Sequence, residues 1–107
     1  MNASPRKRST IVPESALALL RSLGAAEAAD DLDNAEVVFE AGGGWHQGTE
    51  RVSPNAARWL IRHVMIRLVS EHDDKLERWE LNEYGREAAR TGVIPDVVLA
   101  ALKKCNQ

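Results

Sequence analysis

Residues 51–69, RVSPNAARWLIRHVMIRLV, hold four arginines and one histidine and no acid. The segment before them, residues 25–50, is the reverse, with seven carboxylates and no Lys or Arg. Charge therefore changes sign at Arg51, and the division of this basic stretch into helix and strand decides the fold. Ser53 followed by Pro54 is a helix start: the hydroxyl can accept from an orphan amide, and proline at the first position has no donor to leave unpaired. At about 100° per residue, Ala56, Ala57, Leu60, Ile61 and Val64 fall on one side, and Asn55, Arg58, Trp59 and Arg62 on the other. A helix continued to Val69 would set Ile66 and Val69 among the arginines. As a strand, the same residues put Ile66 and Leu68 on one face opposite Arg67. The spacing predicts a helix from Pro54 to His63 or Val64, then a strand. A continuous helix to Ser70 is the rival, because no glycine marks an end.

Trp59 is the odd residue on the polar side. One reading packs its indole beneath a neighbouring hairpin or wing, as core. The other makes it a contact residue, since tryptophan and arginine together are enriched where partners dock.

Working outward, residues 13–23 read as a helix with a proline near the start, Leu17, Leu20 and Leu23 facing a core, and Gly24 as the stop. Residues 25–34 are alanine-rich, but Asp30, Asp31 and Asp33 oppose the helix dipole, so a short helix or turn ending by Asp33 is expected. Residues 36–41 and 45–52 read as two strands around Gly42, Gly43 and Gly44. That glycine run is a hairpin turn and not a phosphate loop, because Trp45, His46 and Gln47 follow it in place of Gly-Lys-Ser/Thr. Beyond the basic stretch, residues 71–75 (EHDDK) form a charged turn. In residues 76–81 (LERWEL), Glu77, Trp79 and Leu81 share a face. Asn82 can cap a helix that Thr91-Gly92 ends. Pro95 opens a last helix with Val97, Val98, Ala101, Leu102 and Cys105 on one face, Leu99 off it, and Lys103 and Lys104 at the end that favours cations.

At 107 residues, 44% hydrophobic and 28% charged, the chain has the size and composition of one folded domain, residues 11–107, behind a basic arm, residues 1–10, and the helices and strands read along it make that domain α+β. Arg6, Lys7 and Arg8 are not followed by the apolar run of a secretory signal, and no stretch is long enough for a membrane span, so a cytoplasmic location is expected. One cysteine, Cys105, excludes an internal disulfide and a cysteine metal cluster. His46, His63 and His72 stand singly without ligand spacing, and no serine or cysteine has a nucleophile's setting. No catalysis, metal or cofactor is expected.

The order helix, strand, charged turn, strand, helix resembles the winged helix-turn-helix regulators of the MarR and PadR kind. The resemblance rests on Ser53-Pro54, on Arg62-His63 before Val64-Met65-Ile66, and on Leu81-Asn82-Glu83-Tyr84-Gly85-Arg86, and it covers about 40 residues. It implies a small winged-helix-like domain, with helices packed on a short antiparallel sheet and wing, whose recognition helix enters double-stranded DNA. By that resemblance Asn55, Arg58 and Arg62 face the major groove, with Trp59 beside them, and Arg51 and Arg67 contact phosphate. The chain departs from the pattern in three places. Val64 stands where a glycine is usual, residues 36–52 read as a hairpin where a positioning helix belongs, and the wing is acidic.

Two functions follow as expectations. The first is a small transcriptional regulator of phage or plasmid type that occupies an operator through the 53–64 helix. The second is a phage- or plasmid-type module that keeps the scaffold and holds or inhibits a host protein without DNA. A last helix apolar on more than one side also points to a homodimer.

Overall fold

The computed structural model describes residues 10–72 and 75–105. The expected basic arm lies, apart from Thr10, outside them. So do Asp73 and Asp74 of the charged turn and the side chains of Glu71, His72 and Cys105.

The domain is α+β. In chain order it comprises α1 (Glu14–Ala28), a 3-10 turn (Leu32–Asn34), β1 (Glu36–Glu40), β2 (Gly44–Gln47), β3 (Glu50–Arg51), α2 (Pro54–Arg62), β4 (Ile66–His72), β5 (Leu76–Leu81), α3 (Glu83–Thr91) and α4 (Asp96–Cys105). The five strands form one antiparallel sheet in the order β3-β2-β1-β5-β4. One face of the sheet contributes Val37, Trp45, Ile66 and Leu81 to a core shared with Leu19, Leu20 and Leu23 of α1, Leu60 of α2 and Ala88 of α3. Each fully buried leucine contributes about 1.5–3 kcal/mol through removal from water. The succession α2, β4, β5, α3 is consistent with a winged-helix-like fold. Where a helix-turn-helix would carry its positioning helix, the chain runs as the β1-β2-β3 meander.

The basic stretch divides as its periodicity predicts: α2 stops at Arg62 and β4 begins at Ile66. Ser53 Oγ accepts from the amide of Ala56 at 3.3 Å, and Pro54 is the first helical residue. Asn82 Oδ1 accepts from the amide of Gly85 at 2.9 Å, and Gly92 ends α3 at φ +82°.

Four expectations are corrected. Helix α1 does not stop at Gly24 but runs to Ala28, because the alanines sustain it. Its turn-off comes at Asp30, at φ +58°, a left-handed position that aspartate tolerates. Residues 45–52 are not one strand: Gly48, at φ +62°, opens a two-residue turn that splits them into β2 and β3. Val64 is not on the buried side of α2; it lies past the helix end and is exposed. In α4, Val97 is exposed while Val98 is buried and Leu99 half-buried, so the inner face is one residue out of register with the expected one.

Candidate nucleic-acid interface

Helix α2 buries Ala56, Ala57 and Leu60 and turns Asn55, Arg58 and Arg62 to solvent. Those three residues, spaced i, i+3 and i+7, form a stripe along one side of the helix. None of them makes a side-chain hydrogen bond or ion pair among the described residues. Four other arginines of the fold are occupied: Arg21 Nε donates to the Ala89 carbonyl at 3.1 Å, and three pair with carboxylates. Arg67 donates to Glu80 Oε2, 2.8 Å from Nε. Arg78 donates to Glu36 Oε1 at 2.9 and 2.7 Å. Arg86 forks onto both oxygens of Glu27 at 2.8 and 2.9 Å.

Trp59 satisfies part of both sequence readings. Its indole is half-buried and packs against the core. It also stacks on the His63 imidazole, with centroids 3.8 Å apart and planes 14° from parallel. His63 Nδ1 lies 2.9 Å from the Trp59 carbonyl, an acceptor that places the ring proton on Nδ1. Burial lowers the His63 pKa; the Trp59 carbonyl opposes that shift and the neighbouring Arg62 charge adds to it. At pH 7 the ring is therefore neutral, and the charge on this surface comes from Arg58 and Arg62.

The end of α2 is fixed by backbone. Met65 N donates to Leu60 O at 2.8 Å and Val64 N to Ile61 O at 3.1 Å, the paired bonds of a Schellman motif. The residue carrying the left-handed turn is Val64, at φ +58°. Asn82 Nδ2 donates to the Val64 carbonyl at 2.7 Å while the same side chain caps α3. One residue thus ties the exit of α2 to the start of α3, and only the capping half of its role was visible in the sequence.

Arg51 and Arg67 are not brought together with the α2 stripe. Gln47 is buried on the helix-covered face, where its amide takes a hydrogen bond from Ser22 Oγ and donates to Asn34 O. Its neighbour His46 therefore projects from the opposite, uncovered face. Arg51, directly across from His46, projects with it. Arg67 alternates with buried Ile66 and lies across from Glu80, so it too stands on the uncovered face. The sequence-predicted set separates into Asn55, Arg58, Trp59 and Arg62 on the helix layer and Arg51 and Arg67 on the outer sheet. The Arg67–Glu80 and Arg78–Glu36 pairs make that outer face one of alternating charge.

Among the described residues no group of His, Cys, Asp and Glu is placed to hold a metal ion, and no helix is long and apolar enough to cross a membrane. Compared with protein-family models, curated proteins and solved structures, the chain matches none of them significantly.

Proposed function

We propose that this protein binds double-stranded DNA through the outward stripe of α2, and acts by occupying its site. The observation that supports this reading is the set of unpaired donors Asn55, Arg58 and Arg62 on a capped, nine-residue helix, in a domain that pairs Arg67, Arg78 and Arg86 with carboxylates. Arginine can read guanine, and asparagine adenine, by paired hydrogen bonds in the major groove. The neutral Trp59–His63 stack beside them is a flat apolar flank.

With Arg67 committed to Glu80 and Arg51 on another face, two arginines per chain remain for phosphate or base. Binding is then weak and falls with salt at a log-log slope of about −2 per chain. Fluorescence anisotropy with labelled duplex at two salt concentrations, on wild type and on Arg58→Ala/Arg62→Ala, tests this. Salt-sensitive binding lost in the double variant is the expected result. No binding at low salt sinks the reading.

The second reading, a contact with an acidic protein surface, is favoured by one observation: a meander stands where the positioning helix of a DNA reader would lie. Under it the same double variant loses a protein partner while duplex DNA never binds. Charge reversal at Asp30, Asp31 and Asp33 then bears on the contact if the acidic segment is part of it.

A further inference from the structure

Helix α4 has two apolar sides. Its inner side is Val98, buried, with Leu99 and Leu102 half-buried against the core. Leu99, which in sequence falls off the apolar face, is therefore already in use. The opposite side carries Val97, Ala100, Ala101 and Lys104, spaced i, i+3, i+4 and i+7 and all exposed, Val97 to 55%. Just upstream, Ile11 and Val93 face each other across an isolated β-bridge, and both are exposed while their neighbours Val12 and Ile94 are buried. Exposed apolar side chains thus occur both at the bridge and on the outer side of α4, where small residues at the centre let a second helix approach closely.

We propose that this surface is the contact with a second copy of the same chain, α4 lying antiparallel on α4 about a two-fold axis near Ala100. Charge selects both the occupant and the direction. Asp96 and Lys103 are seven residues apart and lie on the same flank of the seam. In an antiparallel pair the Asp96 of each copy meets the Lys103 of the other, twice by symmetry. In a parallel two-fold pair the two flanks would lie on opposite sides of the seam, and neither cross-pair would form. The contact is self-complementary, as a two-fold interface requires. Its strength is limited by size. A ten-residue helix is about 15 Å long, and its outer side with Ile11 and Val93 offers less than the roughly 800 Å² per partner of standard interfaces. The dimer is accordingly concentration-dependent. This inference stands apart from the DNA reading and survives its failure.

Sedimentation equilibrium of the full chain from micromolar to millimolar concentration tests it. The weight-average mass should rise from 11.8 kDa toward twice that value. Ala101→Glu, at an exposed position beside the axis where each copy's charge faces the other's, should weaken association at least tenfold with unchanged circular dichroism. Lys103→Glu should weaken it, and adding Asp96→Lys should restore it. Both charge changes oppose the helix dipole, so restoration does not come from a more stable helix. A mass fixed at 11.8 kDa at millimolar concentration overturns the proposal. So does Ala101→Glu associating like wild type, and failure of the double charge swap to restore association overturns the antiparallel register.

Discussion

Val64 is held at φ +58° at the position where helices of this geometry usually end in glycine. A left-handed conformation costs an L-residue about 1–2 kcal/mol, and a β-branched side chain is among the least suited to it. The surrounding bonds hold it there: Met65 and Val64 amides satisfy α2, and Asn82 takes the Val64 carbonyl. Because Val64 is 43% exposed, little packing is lost on its removal. Val64→Gly relieves the strain and gives back part of the gain through a freer unfolded chain. The expected net stabilisation is about 0.5–1 kcal/mol, read as a rise of roughly 2–8 °C in Tm by thermal melting. A fall in Tm would show that valine is not strained there. The helix-to-strand switch was legible in the sequence from the side-chain pattern of residues 54–69. Its mechanism was not, because a Schellman turn built on valine has no compositional mark.

At the scale of the element, two helical glycines that look alike in sequence have opposite roles. Gly24 sits inside α1, and a Cβ built on it would rest 3.9 Å from the Ala89 Cβ and 4.0 Å from Leu81 Cδ1, ordinary contact distances. Gly85 sits in the first turn of α3, where a Cβ would come within 2.2 Å of the Met65 carbonyl oxygen and 2.9 Å of Leu81 Cδ2. Gly24→Ala should therefore stabilise by about 0.5–1 kcal/mol, as alanine does in a helix interior with room for it. Gly85→Ala should destabilise by roughly 2–3 kcal/mol, since the obstacle is backbone and cannot rotate away. Urea melts of the two variants decide the pair, and equal effects would refute the account. In sequence, Gly24 reads as a helix stop and Gly85 as part of a family-like Gly-Arg pair. The packing of α3 on the α2–β4 connection separates the two, and that proximity is a property of the fold.

At the scale of the whole molecule, α1 and α3 are tied by the fork of Arg86 on Glu27. The hydrogen bond from Arg86 lowers the Glu27 pKa, against a smaller opposing effect of burial, and the same bond raises that of Arg86. A carboxylate whose folded pKa is depressed contributes stability above its unfolded value, near 4.5. That stability is lost as pH falls through the lower folded value. Both side chains are still reached by water, 49% for Arg86 and 37% for Glu27, so solvent screening keeps the contribution below about 1 kcal/mol. Glu27→Gln imitates the protonated state. It should melt a few degrees below wild type at pH 7 and converge with it once the pH is below the folded pKa. A gap that persists in acid would assign the loss to packing and not to charge.

Amphipathic spacing and capping residues, which depend only on neighbours in the chain, determined the α+β class, the extent of α2 and its caps, and the outward stripe of Asn55, Arg58 and Arg62. Tertiary structure decided everything that depends on register and docking. The two-residue turn at Gly48 sets β3 beside β2, and so turns Arg51 toward the uncovered face. The β4-β5 register sets Arg67 against Glu80 and removes it from the candidate surface. Which arginines are free is a question about partners far apart in sequence, Glu36 with Arg78 or Glu27 with Arg86, and local periodicity carries no information about them.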